Sequence, residues 1–168
     1  MKIKLLCALG AGLALAAVLL VVPTMRCVSI SSRKTPAERI LSRRALGGFC
    51  ISYTHSVNKG RVHDYYTVDA ARGLLILDKT VFVSYGAGVS EAAETAGAAF
   101  AVTSDGYAIT NVNRQLDALV MAVGVIAEHS VSVGSKVLLL RTVFAPQTSI
   151  VFEVKTVPVL PYLAARHL

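Results

Sequence analysis

The sequence predicts an all-β body, a sandwich or small barrel of about eight or nine antiparallel strands, preceded by one N-terminal transmembrane helix. Three observations carry this reading. Residues 5–22, LLCALGAGLALAAVLLVV, are eighteen consecutive uncharged and overwhelmingly apolar positions. From Phe49 onward, apolar and polar residues alternate in short runs with the period of a strand. Turn-forming groups separate those runs, and no long helical pattern alternates with them as a βαβ unit would require.

As a helix, residues 5–22 reach about 27 Å, close to the hydrocarbon thickness of a bilayer. A buried core helix of that length would carry a polar face, and this stretch has none. No small-x-small pattern follows Val22, so residues 1–22 read as a retained signal-anchor; cleavage would instead give a secreted protein. Residues 23–47 read as a basic linker, bounded by Pro23 and by Gly47 and Gly48, with a short helix over 37–46 that puts Pro36 in its first turn.

The β domain is assigned to 48–160. On its first strand Phe49, Ile51, Tyr53, His55 and Val57 share one face, and Cys50, Ser52, Thr54 and Ser56 share the other. Asn-Lys-Gly (58–60) turns the chain. The return strand sets Val62, Asp64, Tyr66 and Val68 against Arg61, His63, Tyr65 and Thr67. LLIL (74–77) and TVFVSY (80–85) follow as strands, rich in β-branched and aromatic residues. GAGVSEAAETAGAAF (86–100) breaks the rhythm: its glycines suit a tight backbone path, and 91–96 suits a short helix ending at Gly97. SDGY (104–107) marks a hairpin. Strands over 118–126, 136–144 and 150–157 complete the domain, Pro158 and Pro161 end the last one, and 161–168 is a tail.

Charge is as unevenly spread as hydropathy. The net charge is +7, and residues 1–44 hold eight basic residues against Glu38 alone, so 45–168 is neutral. A nucleic-acid binder needs its basic residues on the folded surface, and that class is excluded. The basic segment belongs beside anionic headgroups. Because it outweighs Lys2 and Lys4, charge counting alone keeps the C-terminal side in the cytoplasm. Cys50 is the only cysteine of the β domain, with Cys7 and Cys27 at the N-terminal end, so no disulfide framework or metal cluster forms within it.

The densest chemistry lies in GFCISYTHSVNKGRVHDYYTV (48–68). His55 and Ser56 are adjacent on one strand and point to opposite faces, so they form no nucleophile–base pair, and no Gly-x-Ser-x-Gly elbow exists. No His-x-His pair or carboxylate cluster marks a metal site. Ser84, Gly86 and Gly88 stand in a turn that suits an anion, without the spacing or lysine of a P-loop. No catalytic residue, metal or cofactor is assigned.

FCISYTHSV, VHDYYTV and TVFVSYGAGV together resemble a small uncharacterised bacterial family. Its members carry an aromatic-x-x-x-Tyr-x-His-Ser-Val strand, an acidic residue on the next strand and a Gly-Ala-Gly turn. They are commonly encoded beside tripartite ATP-independent periplasmic (TRAP) transporters whose solute receptor is of the TAXI class. The likeness covers roughly residues 45–155 and is strongest over 49–89. The family's acidic residue is usually glutamate, where Asp64 stands here. The resemblance implies a non-enzymatic, extracytoplasmic accessory domain at the cytoplasmic membrane, facing the periplasm or cell exterior and contacting a transporter receptor or membrane subunit. The partner- or ligand-binding residues are then Tyr53, His55, Ser56, Asp64, Tyr66, Ser84, Gly86 and Gly88. The strand pattern puts His55 and Asp64 on the apolar faces of neighbouring strands, and a histidine there needs a partner, so the two are expected to pair, directly or through one water, near the Gly86–Gly88 turn. The alternative is an independent small-molecule domain binding an anion or carboxylate. A concave polar pocket favours the alternative, and an exposed apolar patch favours a protein partner.

Overall fold

In a computed structural model of the chain, the described residues are 2–35, 38–57, 59–83, 96–104 and 106–168, without the side chains of 2, 3 and 5–9. Helix α1 (Lys2–Val21) opens the chain and β1 (Pro23–Ser32) follows at once. Next come β2 (Arg39–Ser42), a 3₁₀ turn (Arg44–Gly47), β3 (Phe49–Thr54), β4 (Arg61–Asp69) and β5 (Leu74–Phe82). Beyond them lie β6 (Ala99–Thr103), β7 (Gly106–Thr110), β8 (Arg114–Leu116), β9 (Ala118–Ala122), β10 (Ser130–Val133) and β11 (Lys136–Leu139). A second 3₁₀ turn (Leu140–Thr142), β12 (Ser149–Pro158), helix α2 (Val159–Ala164) and β13 (Arg166–His167) finish it.

Two sheets face one another. The smaller runs β13-β2-β1-β12-β9; the larger runs β11-β10-β3-β4-β5-β7-β6, with β8 also on β5. All pairings are antiparallel except β13 with β2. The main core lies between the sheets. Val28, Ile30, Ile40, Ile150 and Phe152 come from the smaller sheet, and Phe49, Ile51, Tyr66, Leu75 and Val131 from the larger. Phe49 joins the two layers, its ring 5.0 Å from that of Tyr66 and 5.7 Å from that of Phe152.

The all-β sandwich holds, and several local expectations are corrected. The expected linker 23–47 supplies β1 and β2. Its Val28 and Ile30 alternate with Cys27 and Ser29, and both sets are buried. The reason is a cover on each face: the core lies inside, while Tyr162 and Ala165 of the α2 segment lie over Cys27, Leu41 and Val157 outside. The expected helix 37–46 is strand β2 and one 3₁₀ turn. The expected tail 161–168 completes α2 and the parallel β13, and Leu168 reaches the main core. LLIL and the first three residues of TVFVSY merge into the single strand β5, which ends at Phe82 and carries a bulge, and Ser84 and Tyr85 lie outside the described residues. The strand expected over 136–144 stops at Leu139, and that over 118–126 stops at Ala122. The short helix over 91–96 lies, but for Ala96, outside the described residues.

α1 forms where the apolar stretch stands, and Val22 still donates to the Val18 carbonyl before the chain enters β1. Its described side chains do not enter the sandwich core: Leu13, Leu15, Val18, Leu20 and Val21 are exposed. Among the described residues no helix is long and apolar enough to cross a membrane.

Candidate functional site

The β3–β4 hairpin sets the register of everything around the site. Ile51 faces Asp64, Ser52 faces His63 and Tyr53 faces Val62. Ile51, Tyr53, Val62, Asp64 and Tyr66 therefore project inward, and Cys50, Ser52, His63 and Tyr65 outward. Asp64 stands among apolar neighbours, with Val62, Phe82 and Ile109 forming a cluster on one side and the Phe49–Tyr66 stack on the other. Two hydroxyls satisfy its carboxylate: Thr80 Oγ1 donates at 2.8 Å, and the Tyr53 hydroxyl is hydrogen-bonded to it. Burial raises the Asp64 pKa, and those two hydrogen bonds oppose the rise. Burial first, then the Asp64 charge and hydrogen bond, push Tyr53 up to about 12. Tyr66 is raised as well, again chiefly by burial.

The expected His55–Asp64 pair does not form. β3 ends at Thr54, and His55 begins the turn: its N–H donates to the Gly60 carbonyl at 2.9 Å and its carbonyl accepts from Lys59 at 3.1 Å. Its Nδ1 accepts the Val57 N–H at 3.3 Å. His55 faces Gly60 while Asp64 faces Ile51, a separation of about 13 Å along the strand. Tyr53, the residue between them on that face, takes the place beside Asp64. Ser56 is exposed in the same turn. Ser84, Gly86 and Gly88 lie outside the described residues. The backbone that leads to them leaves β5 at Val83, whose N–H donates to the Arg61 carbonyl at 3.3 Å.

That bond belongs to a junction of loops at one end of the sandwich. Thr54 N–H donates to the Ala127 carbonyl at 2.7 Å, joining the 55–60 turn to the loop after β9. Arg61 straps the same two loops, its guanidinium donating to Thr54 Oγ1 at 3.2 Å, the Glu128 carbonyl at 3.4 Å and Ser130 Oγ at 3.5 Å. The His129 ring stacks on Tyr53 at 5.5 Å, and its Nδ1 accepts the Gly124 N–H at 3.0 Å. Burial, aided by the Arg61 charge, lowers its pKa, so near neutral pH the ring is uncharged and can accept. Around this frame Val57, Val83, Val125 and Ile126 are exposed, Ile126 at 77%. α1 joins β1 at the opposite end, where Arg26 Nη1 donates to the Ala70 carbonyl in the β4–β5 turn.

The outward face holds what sequence reasoning missed. Ser52 Oγ and His63 Nδ1 lie 2.7 Å apart, and Cys50 Sγ lies 3.6 Å from Ser52 Oγ. Burial lowers the His63 pKa and raises that of Cys50, so both groups are neutral near pH 7. Ser52 is itself buried, and among the described residues no carboxylate bonds the ring of His63. The arrangement is a neutral hydrogen-bonded strip rather than a triad. The signal that would have found it is the register of the hairpin, which a turn of undetermined length does not fix. Among the described residues no group of histidine, cysteine, aspartate or glutamate side chains has the makings of a metal site.

The sequence profile of DUF1850, a domain of unknown function, matches residues 49–140. The chain belongs to the DUF1850 family. The DUF1850 match runs from the first residue of β3 to just past β11, so it contains the hairpin, Asp64, the Arg61 strap and both faces of the larger sheet. Four of the five strands of the smaller sheet lie outside it. No curated protein and no solved structure matches the chain.

Proposed function

We propose that this DUF1850 protein is a membrane-anchored, extracytoplasmic accessory domain that contacts the receptor or membrane subunit of a TAXI-type TRAP transporter. The observation that carries the reading is the exposed apolar set Val57, Val83, Val125 and Ile126, gathered at the end of the sandwich opposite the α1 junction. Exposed apolar side chains around a fixed polar frame suit a protein partner better than a small solute. α1 supports the anchor: residues 5–22 carry no charge, the described apolar side chains stay out of the core, and α1 meets β1 without a linker. A domain held there presents its far-end loops away from the bilayer. The transporter itself comes from the resemblance of the sequence segments FCISYTHSV, VHDYYTV and TVFVSYGAGV.

Topology reporters fused after Leu168 test the anchor and its orientation. The reading requires the protein in the membrane fraction and a reporter active only outside the cytoplasm. A reporter active in the cytoplasm would overturn that orientation in favour of the one that charge counting gives. The alternative, an independent small-molecule domain, draws support from a polar cavity on the outer face of the larger sheet.

A further inference from the structure

That cavity, of about 370 Å3, lies over the outer face of β3, β4 and β5. Its floor holds Cys50 and Ser132, and its wall holds Tyr65, Asp78 and Lys79. A bulge brings the last two together. Tyr65 faces Lys79 and Tyr66 faces Leu77, so Asp78 is an extra residue with no partner on β4. Bulges re-aim side chains in this way and recur beside binding sites. The Lys79 ammonium sits 4.4 Å from the centre of the Tyr65 ring. Among the described residues, neither Lys79 nor Asp78 makes an ion pair, with each other or with any other group.

We infer that this cavity binds a small zwitterion of the α-amino-acid type, its carboxylate toward Lys79 and its ammonium toward Asp78. Two half-buried charges of opposite sign, each without an ion-pair partner among the described residues, select against a ligand bearing only one. A lone carboxylate gains Lys79 and meets repulsion from Asp78; a lone amine gains Asp78 and meets repulsion from Lys79. A molecule carrying both satisfies both, while the Tyr65 ring and the neutral Cys50 and Ser132 floor accommodate its uncharged part. The volume is that of a small-molecule site. The cavity is on a different face from the far-end apolar set, and the inference is independent of the transporter reading.

The test is titration calorimetry of the full chain in detergent micelles against the standard L-amino acids. For each binder, the matched acid without the ammonium and the matched amine without the carboxylate are titrated too. Expected are at least one amino acid that binds, halves weaker by about tenfold or more, and a similar loss in Lys79→Met and in Asp78→Asn. The inference is overturned by no binding up to about 10 mM, by a half that binds as tightly as its parent, or by variants that keep full affinity. If either variant fails to fold, the wild-type melting temperature decides: it rises more with the amino acid than with either half at the same concentration. A rise of equal size with either half contradicts the inference.

Discussion

Asp64 is a carboxylate placed where water is scarce, and its neighbours show how the chain accommodates it. Thr80 and Tyr53 donate to it, and burial still raises its pKa. The consequence for stability has a definite sign. Between the ordinary value of 3.8 and the raised native value, the folded protein holds a proton that the unfolded chain has released. Stability from Asp64 is therefore fully present below that ordinary value and is lost as pH rises through the native one. The difference in unfolding free energy between wild type and Asp64→Asn, measured by urea titration, should fall across that window. A difference that stays flat or grows with pH would refute the assignment. Tyr53→Phe keeps the ring on His129 and removes one donor from Asp64, so it should cost about 1–3 kcal/mol in the same assay. Arg61→Ala removes the strap between two loops and should cost about 1 kcal/mol or more, read as a lower melting temperature.

At the scale of elements, β1 decides whether the domain exists. It lies between β2 and β12, and it carries Val28 and Ile30 into the core. A chain beginning at residue 48 should then show no cooperative unfolding; a sharp transition from that fragment would return 23–47 to the status of a linker. Gly106 leaves little room for a Cβ. Its φ is +133°, and a Cβ there would stand 2.5 Å from the Phe82 carbonyl oxygen, so Gly106→Ala should lower stability by at least about 1 kcal/mol. Much of this was legible in the sequence. Alternation placed strands over 49–57, 61–68 and 150–157, where β3, β4 and β12 stand, though β3 stops at Thr54, and Ser-Asp-Gly-Tyr marked the β6–β7 hairpin. β1 alternates too, Val28 and Ile30 against Cys27 and Ser29, but its arginine and the basic residues beyond it outweighed the pattern. The α2 cover that buries its second face is a tertiary fact. The His55–Asp64 pair failed for a related reason: where β3 ends decides whether His55 continues the strand, and that end is set by backbone bonds to Gly60 and Ala127. The same register created the Ser52–His63 contact between residues eleven apart.

For the whole molecule, the two ends have different chemistry. One end runs directly into an apolar helix, and the other exposes Val57, Val83, Val125 and Ile126 around a frame tied by Arg61. Such polarity suits a body fixed at a surface and reading a partner beyond it. Because Val125 and Ile126 are largely exposed, charging them should change binding and leave folding intact. The most direct measurement is a pull-down from solubilised membranes through a tag after Leu168, comparing wild type with Val125→Asp/Ile126→Asp. The account predicts that a TRAP receptor or membrane subunit co-purifies with wild type and is lost from a variant with an unchanged melting temperature. Absence of any TRAP subunit from the wild-type eluate, or equal recovery with the variant, would contradict it.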